Sequence, residues 1–218
     1  MKVGEKMDID ALTAKKADRI AIEEMKISSL KLMNKASRAV AERIIENHPG
    51  KKILVISGTG NNGADGLCIA SILKDNGFEI VVNVIGDLSR GTWEFYYQLS
   101  KYKKGKGELY FNEEKVFDHD VLVDALYGVG LNREIEGLSY KLIKKLNKYD
   151  SYKIAVDIPS GLNPDDGKVM GICLAADETV TFGRNKKGFR NSKHTGKVLV
   201  RKIGIPEIIY ERLINETK

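Results

Sequence analysis

The stretch SGTGNNGADGLCIA, from Ser57 to Ala70, decides how the rest of the chain is read. Gly58, Gly60 and Gly63 have the G-x-G-x-x-G spacing of a loop that brings backbone amides to a phosphate at a helix N-terminus. Before it lies a short apolar run, Lys52 to Ser57, which reads as a buried strand. After it, Leu67, Ile69, Ala70, Ile72 and Leu73 predict a helix over Asp65 to Asn76, with Gly77 as its stop. Strand, glycine loop and helix in this order open a doubly wound α/β sheet. A dinucleotide loop of the usual kind also needs an acid for the ribose, about 20 residues on at the end of the second strand. Asn83 stands at that distance, and the nearest acid, Asp87, lies past the strand and Gly86. Asp65 is also out of place in a phosphate cradle. Its carboxylate repels phosphate and suits a sugar hydroxyl, a protonated base, a cation or a proton transfer.

Outward from this stretch, two helices come first: Asp10 to Met25, then a second capped by Ser28 or Ser29 and ending at Asn47-His48-Pro49-Gly50. Downstream, strands are expected at Glu79 to Ile85, Glu108 to Phe111, His119 to Leu126, Tyr152 to Ile158, Asp177 to Phe182 and Lys197 to Ile203. Helices are expected at Thr92 to Tyr102, at Gly137 to Asn147 and from Pro206 to about Ile214. The alternation predicts an α/β fold: a Rossmann-like three-layer αβα sandwich with a largely parallel central sheet and two N-terminal helices. With no break in composition, residues 1–218 are expected to form a single domain.

The chain is 42% hydrophobic and 30% charged, with a net charge of +6, the balance of a globular protein with a solvated surface. Acids interleave with the lysines, so no nucleic-acid partner is expected. The run Arg184-Asn185-Lys186-Lys187 suits a phosphate-bearing ligand instead. No apolar run approaches a membrane span, and Met1 to Ile9 lacks the apolar core of a signal peptide, so no membrane association is expected. Cys68 and Cys173 sit in apolar surroundings and read as buried thiols, and His48, His119 and His194 show no ligand spacing. A reducing cytoplasm is the expected compartment.

In open sheets of this class, ligands bind beyond the carboxyl ends of the strands. Four expected strands end there in glycine-bearing polar loops: Gly58 to Gly66, Asp124 to Arg133, Asp157 to Asn163 and Gly183 to Gly188. Their coincidence favours one composite site over four unrelated turns. Asp157 is the best candidate for acid–base work, because it follows a buried strand just before a turn forced by Pro159 and Gly161. Ordering its own turn is the alternative role. The oxygen donors of Asn62, Asp124 and Ser160 suit a hard cation. On the residues alone, capping by Asn62 and Ser160 and a backbone bond to Asp124 is the simpler account.

Four segments carry a resemblance: Gly58 to Gly66, Val123 to Leu131, Val156 to Leu162 and Ala176 to Gly183. In this order they resemble the motifs of the NAD(P)H-hydrate epimerases, the YjeF N-terminal domain proteins. The resemblance runs from about Asp18 to Pro206. It implies a Rossmann-like fold, usually a homodimer, that interconverts the R and S forms of hydrated NADH and NADPH (NADHX and NADPHX). A separate NAD(P)H-hydrate dehydratase is the implied functional partner; the chain ends before any fused dehydratase half, so either that partner is a separate protein or this is an excised domain. By motif, Asn61, Asn62, Gly63, Ala64 and Asp65 would contact the hydrated dinucleotide, as would Gly128, Val129, Gly130, Leu131, Asn132, Arg133 and Glu134, with Lys186 nearby. Asp157 would sit at the reacting ring, giving and taking the proton, and Asp65 or the ion would orient ring and ribose. Asn62, Asp124 and Ser160 would help hold potassium (K+). The chain departs from the family pattern at Ala64, where glycine is usual, at Asn34-Lys35 and Ser37 in the second helix, and at Asn185 in place of proline. Two other classes stay open at this point: a nucleotide-binding module without turnover, and a hydride-transferring oxidoreductase.

Overall fold

The computed structural model describes residues 7–216. Two helices, α1 (Ala11–Glu23) and α2 (Ser29–Asn47), precede β1 (Ile53–Ser57), α3 (Asn61–Asp75), β2 (Ile80–Val84), α4 (Trp93–Lys104) and β3 (Glu108–Phe111). The chain continues through β4 (Val121–Ala125), α5 (Gly137–Leu146), β5 (Tyr152–Val156), β6 (Glu178–Phe182), β7 (Lys197–Arg201) and α6 (Glu207–Glu216). The strands form one sheet in the order β3-β2-β1-β4-β5-β6-β7. Every pairing is parallel, so the sheet is fully rather than largely parallel. Chain direction around the sheet reverses between β1 and β4, where a crevice opens at the carboxyl edge.

Strand periodicity explains the layers. Val55 of β1 and Val123 of β4 face α2, α3 and α4 in one buried cluster. Their neighbours Leu54, Ile56 and Leu122 face α5 in another. Each fully buried aliphatic side chain of this kind contributes roughly 1.5–3 kcal/mol. A third cluster joins α1, α6 and the segment at Ile203 and Ile205 to Leu32 and Ala36 of α2. Asp10 caps α1 by accepting from the Thr13 amide at 2.8 Å, and Ser28 caps α2.

One boundary differs from expectation. The helix after β1 starts at Asn61, not Asp65. Gly60 serves as its N-cap, and a Cβ on Gly63 would lie 1.9 Å from the Gly58 carbonyl oxygen. The third glycine therefore lets the first helical turn fold back onto the strand end. Asn61 to Asp65 become helical side chains, and the open loop shrinks to Gly58-Thr59-Gly60. Ala64 is helical and fully buried in the core, so its methyl needs no positive φ.

The sheet holds one buried ion pair away from the crevice. Glu178 of β6 is fully buried and accepts bidentately from Arg43 of α2, at 2.6 and 2.8 Å. Removing the guanidinium leaves a buried carboxylate unpaired. Arg43→Ala is expected to destabilise the fold by roughly 3 kcal/mol, read as a shift of the urea unfolding midpoint at neutral pH.

Candidate active site

A cleft of about 740 Å³ lies over the carboxyl ends of the strands. Asn61, Asn62 and Asp65 line it from α3, the run from Gly128 to Arg133 lines it beyond β4, and Asp157 and Lys186 lie at its floor. Three expected contacts stand elsewhere. Gly63 and Ala64 turn into the buried side of α3, and Glu134 points to Gly171. Asp124 and Ser160 are buried outside the cleft lining.

Asp157 follows β5 in a tight turn. The Ile158 amide donates to the Val156 carbonyl across it at 2.8 Å, and Asp157 itself has φ of +64°. This is the γ-turn of positive φ, a strained geometry for a residue with a side chain. Surrounding bonds hold it. Asp157 Oδ1 accepts from Lys186 Nζ at 2.9 Å, from Thr181 Oγ1 at 3.0 Å and from the Phe182 amide at 3.1 Å.

Lys186 is 1% exposed. Its ammonium also donates to Thr181 Oγ1 and to the carbonyls of Phe182 and Arg184. The basic run expected to meet phosphate is thus engaged within the protein: Arg184 is buried and paired with Glu207, and Lys187 pairs with Asp10. Exposed Lys15, Arg90 and Arg133 are the cations at the cleft rim.

The acids of the cleft titrate unusually. Burial raises Asp65 well above the ordinary carboxylate value, and the Asp157 charge adds to this; the Ser37 hydroxyl, donating to Asp65 Oδ1 at 3.4 Å, opposes it. Asp18 of α1 is pushed up to about 6, first by the protein crowding it and then by Asp157, with Lys186 opposing. Asp18 also lines the cleft, though the sequence reading passed over it. A signal existed: Ala14, Asp18 and Ile22 recur at i+4 and all face the cleft, beside the stripe of buried Thr13, Ala17 and Ala21.

Below the floor, Asp124 on β4 is held by neutral donors. Oδ1 accepts from Ser160 Oγ at 2.6 Å and the Leu126 amide at 3.3 Å, and Oδ2 from the Ser160 amide at 2.7 Å. Burial pushes Asp124 up to about 6. Asn62 packs against Gly128, and its Nδ2 is buried with no acceptor. Among the described residues, no group of three or more His, Cys, Asp or Glu could hold a metal.

Of the departures in α2, Asn34 and Lys35 do not line the cleft, which Leu32, Met33 and Ala36 line instead, whereas Ser37 bonds to Asp65. Asn34 Oδ1 accepts from Cys68 Sγ, and Lys35 lies against Gly204. Both cysteines are buried free thiols, as expected. Among the described residues no helix is long and apolar enough to cross a membrane.

The strand order, the glycine turn and the crevice define a doubly wound α/β domain of the dinucleotide-binding type, with an acidic floor and a basic rim. Comparison with known proteins makes this specific. Residues 29–188 match the family described as YjeF-related protein N-terminus, and the chain belongs to that family. It is 36% identical over 196 residues to the NAD(P)H-hydrate epimerase of Limosilactobacillus fermentum, covering 88% of this chain and 94% of that one. It is also 36% identical over 199 residues to the bifunctional NAD(P)H-hydrate repair enzyme Nnr of Methanothermobacter thermautotrophicus, covering 86% of this chain and 38% of that relative. The crystal structure of the yeast protein ynu0 (YNL200c) superposes with a TM-score of 0.85 at 21% identity, covering 95% of this chain and 93% of that one.

The raised Asp65 carboxyl has a measurable consequence for stability. It stays protonated in the folded chain to higher pH than in the unfolded chain, where the ordinary value is 3.8. Its contribution is therefore present below that value and is lost as pH rises. Asp65→Asn escapes the loss. Its urea midpoint is expected to exceed wild type at about pH 8, with the advantage narrowing toward about pH 4. An equal advantage at both would exclude the carboxyl as its source.

Proposed function

We propose that this protein is an NAD(P)H-hydrate epimerase, an isomerase acting at C6 of the hydrated nicotinamide ring of NADHX and NADPHX. One observation carries the reading: two carboxyls on different elements, Asp65 and Asp157, line one cleft in different surroundings. Asp65 is driven toward its neutral form, while Asp157 is ion-paired with buried Lys186. Pairs of acids whose surroundings separate them in this way divide acid and base roles.

The chemistry follows from the ring. Its nitrogen can push out the C6 hydroxyl once an acid protonates the oxygen. Asp65 gives that proton, the C–O bond breaks with its electron pair leaving on oxygen, and water departs. The ring is then an iminium cation, which the carboxylate of Asp157 stabilises. Water adds to C6 from the other face while Asp157 takes its proton. Lys186 keeps Asp157 oriented. At the rim, Lys15, Arg90 and Arg133 suit the pyrophosphate, and Asn61, Asn62 and the run from Gly128 to Arg133 suit the rest of the dinucleotide.

We also read Asn62, Asp124 and Ser160 as holders of a potassium ion. The donors are oxygens, Asp124 meets only neutral hydrogen-bond donors, and Asn62 has an unpartnered buried amide. Exchanging its two ends would present a carbonyl oxygen. When bound, such an ion supplies positive charge that fixes the phosphate-side loop. A homodimer, a cytoplasmic compartment and a separate NAD(P)H-hydrate dehydratase as functional partner complete the reading. The bifunctional name of the archaeal relative supports a second repair step beside this one.

Epimer exchange followed by NMR or chromatography tests the reading. The wild-type protein is expected to equilibrate the R and S forms. Folded Asp157→Asn should lose about 10²- to 10⁴-fold in kcat. Tight nucleotide binding without exchange would instead mean a binding module. Replacing potassium by sodium is expected to slow wild-type exchange while leaving an Asp124→Asn variant indifferent to the choice of salt.

A further inference from the structure

Resting on that reading, the mechanism leaves a proton in the wrong place. Each conversion in one direction takes a proton from Asp65 into the departing water and puts one from the incoming water onto Asp157. Overall no proton is gained or lost. Before the next conversion in the same direction, however, Asp157 must release its proton and Asp65 must regain one. Asp65 Oδ1 accepts from the Ser37 hydroxyl, and Asp157 Oδ1 is enclosed by Lys186, Thr181 and the Phe182 amide. On those sides protein groups meet the two carboxyls, and each opens to water only through the cleft it lines.

Asp18 stands where such a path would run. It lines the same cleft as both carboxyls and is exposed to solvent. Its helix is fixed to the loop that carries Lys186. The Ile9 amide donates to the Asn185 carbonyl and the Lys187 amide donates to the Ile9 carbonyl, both at 2.9 Å. Asp10 accepts from Lys187 Nζ and Asp8 from Arg190 Nε, so the entry to α1 is tied down at both residues before the helix. The neighbouring stripe of the helix, with Ala17 and Ala21, is buried in the cluster with α6. Asp18 therefore keeps a fixed position over the cleft, about two turns in from this anchor. The charged and titratable groups around it are Asp157, Lys186, Asp65, Tyr210 of α6 and Lys15 on its own helix.

We propose that Asp18 is the proton-exchange residue of this site, carrying the proton released by Asp157 to water and returning one to Asp65 between conversions. Its position sets it on the cleft that both carboxyls line and also in solvent. A carboxyl pushed up to about 6 exchanges protons readily near neutral pH, which supports the assignment. The Asp157 charge contributes to that shift, so protonation of Asp157 makes Asp18 a better proton donor to Asp65 and to water.

The test is net conversion of one epimer under excess substrate, with wild type as the control. If wild type shows no exchange, the epimerase reading fails; if it does, the variants address Asp18 alone. Asp18→Asn is expected to lower kcat about ten- to hundredfold with KM little changed. Its rate should climb with the concentration of a small buffer such as imidazole or acetate, whereas the wild-type rate should not. Because Asp18 both accepts and donates, wild-type kcat should pass through a maximum in pH near 6 that vanishes in the variant, and Asp18→Glu should retain most activity. Asp18→Ala, with its better helix propensity, gives the same readings if the Asn variant does not fold. A wild-type rate in either variant, or a loss that buffer does not relieve and Asp18→Glu shares, overturns the proposal.

Discussion

The buried ammonium of Lys186 is the constraint on which this site depends. It sits 1% exposed among an aspartate, a hydroxyl and two carbonyls, and an isolated lysine could not remain charged there. Its bonds tie the end of β5 to the end of β6. Through the Ile9 bridge beside it, the same loop fixes α1. The strained turn at Asp157 persists because these bonds leave it no alternative. Without them the +64° φ would relax and the carboxylate would swing away from the cleft.

Charge arithmetic then sets the acids apart. One ammonium faces three carboxyls, Asp18, Asp65 and Asp157, and it pairs directly with only one of them. The other two are left to burial and to mutual repulsion, which favour their neutral forms. The site thus sets one ion-paired acid beside two whose neutral forms are favoured, without a histidine. His119 accordingly has a structural place, bonded to the Phe117 carbonyl and stacked on Tyr149.

Much of this was legible in the sequence, and the gaps have physical causes. The central strands announced themselves by apolar runs, and the rim loops by glycines that follow strand ends. The start of α3 was misplaced because Asn61 to Gly66 has polar and small residues in place of the apolar period that marks a helix. There the decisive term is backbone contact between Gly63 and Gly58, which no side-chain pattern records. Lys186 looked like a ligand for phosphate because a basic run gives no hint of which lysine points inward. The strain at Asp157 was invisible, since the glycine beside the turn, Gly161, was the natural candidate for positive φ and shares it at +94°. Asp18 was missed because α1 precedes the sheet and carries no rim loop, so nothing in its own pattern tells which of its residues meet the cleft.

The gradient of charge across the cleft accounts for a carboxylate inside a phosphate-type loop. Once α3 begins at Asn61, Asp65 belongs to the floor and not to the cradle. The exposed cations Lys15, Arg90 and Arg133 lie at the rim. A dinucleotide carries its negative charge on the pyrophosphate and, on the proposed reading, develops positive charge at the nicotinamide ring. A basic rim and an acidic floor complement both at once, and the floor acts most strongly when the ring becomes cationic. That differential is what accelerates a reaction, because it favours the charged transition state over the neutral ground state. A neutral or basic floor would bind the same dinucleotide and leave the chemistry unassisted.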